Sequence, residues 1–124
     1  MTQEDKELLL KDLCARLPYG VKIQVPYEDG SGYFDETVWE VNNEGPFYAN
    51  GWGIEYEYVK PYLFPLSSMT EEQKKEYQYI TERWMYDSSY SISDSTDWLN
   101  KNHFDYRGLI KKGLAIDATG LNIY

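Results

Sequence analysis

Between Val21 and Val59 the apolar residues recur at every second position, and turn residues interrupt them about every ten. Val21, Ile23 and Val25 alternate with Lys22 and Gln24, and Pro26 ends that strand or marks an edge. Glu28-Asp29-Gly30-Ser31-Gly32 turns the chain. Thr37, Trp39 and Val41 alternate with Val38 and Glu40 before Asn42-Asn43-Glu44-Gly45 turns it again. Phe47-Tyr48-Ala49 then runs into Asn50-Gly51, which favours a type I′ hairpin. Ile54, Tyr56 and Tyr58 alternate with Glu55 and Glu57, and Val59 to Pro65 can add an edge strand interrupted by Pro61. This rhythm predicts a small antiparallel SH3-like barrel or bent sheet over 20–65.

Helical signals flank it. Thr2 with Asp5 forms a capping box, and Leu9, Leu10, Leu13, Cys14 and Leu17 share one helical face. Glu7 with Lys11 and Asp12 with Arg16 are i,i+4 pairs in the favourable order, and Pro18 and Gly20 end the helix. On this reading Cys14 is a small buried hydrophobe. Thr70 with Gln73 is a second capping box, and a helix is expected from Glu71 to about Tyr86 with Tyr77, Ile80 and Trp84 as its apolar stripe. The serine-rich stretch 87–96 reads as a loop. Thr96 or Asp97 can cap a short helix to about Asn102, and Asp105 another to Lys112, with Gly113 as its stop. The expectation is one α+β domain over 1–124, with a helix over 1–18, the barrel over 20–65 and a helical cap over 70–124. Leu9, Leu13 and Leu17 should share a core with Val21, Ile23, Val25, Val38 or Trp39, Ile54, Tyr56, Ile80 and Trp84.

Charge and cysteine content exclude several classes. A net charge of −9 opposes binding to nucleic-acid backbone or an anionic membrane. No stretch is long and apolar enough to span a bilayer, and the acidic start Met1 to Glu7 reads as no secretory signal, so cytoplasm is the expected compartment. The single Cys14 allows neither an internal disulfide nor a multi-cysteine metal site.

Three blocks carry a resemblance: Cys14-Ala15-Arg16-Leu17-Pro18-Tyr19-Gly20-Val21-Lys22, then Val59-Lys60-Pro61-Tyr62-Leu63-Phe64-Pro65-Leu66-Ser67-Ser68-Met69-Thr70, then Asp97 to Ala115. As a set they resemble a family of small proteins from gut Bacteroidetes and their phages or mobile elements. The resemblance covers most of the chain. It departs at Phe64, where the family tends to have Arg. It implies a bacterial or phage cytoplasmic origin, assigns no activity and transfers no functional residue.

Two regions hold residue types that chemistry could use. The first surrounds the only histidine, His103, with Asp97, Trp98, Phe104, Asp105, Tyr106 and Arg107. A hydrolase reading makes His103 the general base, Asp105 or Asp97 its orienter and Arg107 an anion stabiliser. It supplies no nucleophile and no metal-ligand spacing, so the favoured reading is structural, with His103 and Asp105 satisfying the joint between two helices. The second is the stretch between Lys22 and Lys60. It holds Glu28, Asp29, Asp35, Glu36, Glu40, Glu44, Glu55 and Glu57 and no Lys or Arg, interleaved with Tyr27, Tyr33, Phe34, Trp39, Phe47, Tyr48, Trp52, Tyr56 and Tyr58. Acid mixed with aromatic surface suits a basic peptide through cation–π contact and charge steering. Glu55 and Glu57 on one strand face could also be metal ligands, but that spacing is common on solvated faces.

The function expected from sequence is therefore non-enzymatic: a protein-binding accessory or host-interaction factor of a bacterial or phage mobile element, using no cofactor and no metal. Its partner should be a basic protein docking on Tyr27, Tyr33, Tyr48, Trp52, Glu55 and Glu57. The alternatives are an acidic inhibitor that mimics nucleic acid and a small hydrolase centred on His103.

Overall fold

The fold begins at the cap that its sequence specifies. The Thr2 hydroxyl accepts from the Asp5 amide at 3.0 Å, and the Thr2 amide donates to the Asp5 carboxylate at 3.3 Å. They open α1, Gln3–Arg16. This structure is a computed structural model describing residues 1–42, 45–48, 53–83, 86 and 92–124, with 47, 48 and 92 described as backbone. Strands β1 (Lys22–Pro26), β2 (Tyr33–Val41), β3 (Pro46–Tyr48) and β4 (Lys60–Pro65) follow. Next come α2 (Glu71–Arg83) and α3 (Ile92–Lys101), then two short strands, β5 (Phe104–Asp105) and β6 (Ile116–Asp117).

The architecture is α+β, and its sheet is open and mixed. The order is β3-β2-β1-β4-β5, with β6 also on β4. β1, β2, β3 and β4 pair antiparallel, whereas β5 and β6 run parallel to β4. The described residues close no barrel, and two parts of the expected layout are corrected. Ile54 to Tyr58 is not a strand: residues 56–58 make a 3-10 turn that turns the Tyr56 ring inward, where its hydroxyl donates to the Asn42 carbonyl at 2.5 Å. Gly45 fixes this crossing, because a β-carbon there would lie 1.8 Å from the Ile54 carbonyl oxygen.

The region after α3 is the second correction. Asp105 caps, as its position suggests, but the run it caps is a set of turns. Its two carboxylate oxygens accept from the Leu109 and Ile110 amides, each at 2.9 Å. The segment then returns to the sheet, with the Ala118 amide donating to Leu63 at 2.8 Å. The C-terminal third is thus partly woven into the sheet. α3 also starts earlier than expected, at Ile92.

Two apolar clusters hold these layers. Leu9 and Leu13 of α1 pack with Val21, Ile23, Val25, Val38, Tyr56, Val59, Leu63 and Leu109. Leu17 and Ile54 flank them, so most of the expected core is found together. Ile80 is elsewhere, against Trp98, Leu99 and Phe104 between α2 and α3. Trp98 bridges that cluster, 5.5 Å from the Tyr77 ring and stacked on Phe104 at 5.6 Å. Trp84 lies outside the described residues. Cys14 is exposed, which corrects the expectation of a buried thiol. The stripe of α1 that goes inward is Leu9, Asp12, Leu13 and Arg16. The Asp12–Arg16 i,i+4 pair takes the buried place that Cys14 was expected to fill.

Candidate binding surface

The β1–β2 hairpin builds the surface. Tyr27 donates its amide to Gly32 at 2.9 Å, and its carbonyl accepts from Gly30 at 3.1 Å. Asp29 accepts from the Ser31 amide at 2.9 Å, and hydrogen bonds from Ser31 hold its carboxyl below the usual carboxylate range. The Tyr27 ring rests against Phe34, with centroids 5.0 Å apart. Pro26 faces Tyr33 across the ladder.

Strand alternation then sorts β2. Val38 is buried, and Tyr33, Asp35, Thr37 and Trp39 face outward. The choice between Val38 and Trp39 as the core residue falls to Val38. Tyr33 is 64% exposed, Trp39 55% and Tyr27 46%. Asp35 sits between the two outward aromatics and is anchored by a hydrogen bond from the Tyr62 hydroxyl, which also accepts from Gln24 at 3.3 Å. Burial, with the Asp35 bond second, pushes the Tyr62 phenol up to about 12, so it stays a donor at neutral pH.

Of the six residues expected to form one patch, Tyr27 and Tyr33 are not brought together with Glu55 and Glu57. Tyr27 and Tyr33 are at the hairpin end of β2. Glu55 and Glu57 are at its other end, because the Ile54 amide donates to Pro46 at 3.2 Å and Pro46 pairs with Val41. The length of β2 separates these ends by about 25 Å. Tyr48 pairs with Val38 through its backbone, and Trp52 lies outside the described residues. Glu55 and Glu57 instead border a cavity of about 400 Å³ beside the first turn of α1, where the Lys6 ammonium lies 6.0 Å from the Tyr56 ring centroid. The Glu57 charge raises the phenol pKa of exposed Tyr58. Trp39 and Asp35 belong to the acidic aromatic stretch but not to the six expected docking residues, and they lie on the outward face with Tyr33. The alternation that buries Val38 was the available signal.

Around His103 the polar groups face other tasks. Asp105 holds two backbone amides. Arg107 donates to Asp12 at 2.8 Å, and Asp12 also accepts from Arg16 Nε at 2.9 Å with both side chains of that pair fully buried. Arg16 Nη2 donates to the Phe104 carbonyl at 2.6 Å. The His103 ring stacks on Tyr124, centroids 3.7 Å apart, and Nδ1 has no hydrogen-bond partner among the described residues. Burial, then the Arg16 and Lys22 charges, push its pKa down to about 4, so the ring is neutral at pH 7. Tyr124 closes a gap between β1 and β4: its hydroxyl accepts from the Lys22 amide at 2.9 Å and donates to the Tyr62 carbonyl at 2.8 Å.

Among the described residues, no three His, Cys, Asp or Glu side chains converge on a point where a metal could bind, and no helix is long and apolar enough to cross a membrane. Comparison with protein-family models, curated proteins and solved structures gives no match.

Proposed function

We propose that this protein is a non-enzymatic binding module that captures a basic protein partner on the outer face of its β1–β2 hairpin. The observation that carries this reading is Tyr33 and Trp39, each more than half exposed on one strand face, with the carboxylate of Asp35 fixed between them. Aromatic surface of this kind costs free energy in water and recovers it under a partner. Tyrosine and tryptophan faces attract Lys and Arg side chains, and carboxylates speed the encounter with them. Glu28, Asp29 and Glu40 extend the negative field along the same hairpin and strand. With the family resemblance, this supports a role as an accessory or host-interaction factor of a bacterial or phage mobile element, acting in the cytoplasm. The C-terminal polar cluster is read as structural, since its charged groups bond to one another and to backbone.

The test is affinity capture from the native host with wild type and the double variant Tyr33→Ala/Trp39→Ala. The reading expects a basic protein retained by the first and lost by the second, with both variants folded. Retention of the same partner by the double variant overturns it.

A further inference from the structure

β1 and β4 pair antiparallel at Gln24–Lys60 and Ile23–Pro61, a register that next sets Lys22 opposite Tyr62. The backbone does not close that rung. The Tyr124 hydroxyl stands between its two partners, accepting from the Lys22 amide at 2.9 Å and donating to the Tyr62 carbonyl at 2.8 Å. Such a place needs one atom that both accepts and donates, and among aromatic side chains only tyrosine carries it. The ring behind the hydroxyl is held by its face. The buried His103 imidazole stacks on it at 3.7 Å, and the Phe64 ring centroid lies 6.0 Å away. A third contact reads the backbone before the ring, where the Lys22 ammonium donates to the Ile123 carbonyl at 2.9 Å. The His103 wall is buried, whereas Tyr124 itself is 41% exposed. The segment that carries it bends through left-handed backbone at Gly120 and Asn122, and a cavity of about 480 Å³ lined by Phe64, Ala118 and Ile123 adjoins the ring.

We infer that this socket recognises a tyrosine residue within a peptide chain, and that a tyrosine of a partner segment takes the place Tyr124 fills in the free protein. The inference stands apart from the β1–β2 hairpin and does not rest on the binding reading above. Three contacts define the ligand. The Lys22 amide and Tyr62 carbonyl select a neutral phenol hydroxyl: phenylalanine leaves both unpaired, and a phosphorylated tyrosine has no proton to give Tyr62. The imidazole face takes a flat ring. The Lys22 ammonium calls for a carbonyl on the tyrosine nitrogen, and it repels the free ammonium that a tyrosine with no preceding residue would bring. The exposure of Tyr124 and the adjoining cavity give its ring a way out. Tyr124 is then a tethered competitor, and an incoming tyrosine binds more weakly in proportion to the time Tyr124 spends seated.

The probe is N-acetyl-tyrosinamide, which carries an amide on both sides as a tyrosine inside a chain does. It is titrated by NMR into the full chain as wild type, Tyr124→Phe and Tyr124→Ala, following the Lys22 amide and the His103 ring. Affinity should rise in that order, by about tenfold or more between the first and the last. On Tyr124→Ala, N-acetyl-phenylalaninamide should bind about tenfold more weakly, because the Lys22 amide and Tyr62 carbonyl stay unpaired. Tyrosinamide, with its free ammonium, should bind more weakly as well. Equal affinity for the three chains, equal binding of the phenylalanine probe, or no response at Lys22 and His103 overturns the socket. Equal binding of tyrosinamide overturns the peptide assignment in favour of the free amino acid. Dimerisation of the wild type that Tyr124→Ala abolishes overturns a foreign partner in favour of a second copy. If Tyr124→Ala does not fold, all three probes on wild type and Tyr124→Phe still decide.

Discussion

The two polar-aromatic regions of this molecule are built from the same residue types and put them to opposite uses. Behind α1, Asp12, Arg16 and Arg107 form a charge cluster closed by Tyr106, with the Arg16 and Arg107 guanidiniums 5.5 and 4.5 Å from its ring centroid. On β2, Asp35 lies between Tyr33 and Trp39 on an open strand face. Composition does not separate the two. What separates them is how many backbone and side-chain groups already bind each charge. Asp12 serves two guanidiniums and Arg16 also serves the Phe104 carbonyl, so those charges hold the fold together. The outer face of β2 keeps aromatic area and negative charge in solvent.

Substitution should break this contrast most strongly at Asp12. Asp12→Ala leaves Arg16 buried without its counter-charge and should cost about 3–5 kcal/mol in urea denaturation. Leu13→Ala, beside it in the main core, should cost about 2–5 kcal/mol by the same measurement. A fully buried pair that proves dispensable would move the cluster out of the structural class.

His103 gives the next effect, and its sign is fixed by its depressed pKa. Its folded value of about 4 lies below the ordinary 6.5, so its stabilisation is present above the ordinary value. That contribution should be lost as pH falls from about 6.5 toward 4, because the unfolded chain takes up the proton first. His103 also has a positive φ of 61°, which asparagine tolerates. Stability measured against pH for wild type and His103→Asn should therefore diverge at pH 7 and converge near pH 4. Parallel curves would count against a buried neutral imidazole. Tyr124→Phe, which removes one acceptor for Lys22 and one donor to Tyr62, should cost about 1 kcal/mol.

At the surface the order reverses. Tyr33→Ala and Trp39→Ala should each change folding stability within about 0.5 kcal/mol while weakening partner binding. Reversal of Glu55 and Glu57 to Lys, at the far end of β2, should slow partner association less than reversal of Glu28 in the β1–β2 turn.

The local features were legible in the sequence because their causes are local. Both capping boxes form as the Thr2–Asp5 and Thr70–Gln73 spacings require. β1 shows its alternation because one face is buried. The Asp12–Arg16 pair was illegible in a different way. Its spacing is identical in a solvated helix, and the groups that bury it come from Phe104 and from Arg107, 95 residues away. Two-residue strands such as β5 and β6 are too short to show a period. Ile54, Tyr56 and Tyr58 do show one, and the crossing at Gly45 overrides it. The surface was half legible: acid and aromatic content are in the composition, but only the register of β2 shows that Trp39 and Asp35 belong with Tyr33 and that Glu55 and Glu57 do not.

The most direct measurement is the association rate of the captured partner, followed from low salt to 1 M, for wild type and for Glu28→Lys/Glu40→Lys. At 1 M salt the screening length falls to about 3 Å, so a partner steered by this hairpin should associate steadily more slowly as salt rises. The double reversal should slow it further at low salt and leave the dissociation rate nearly unchanged. An association rate indifferent to both salt and the reversals would contradict the assignment of this surface to a basic partner.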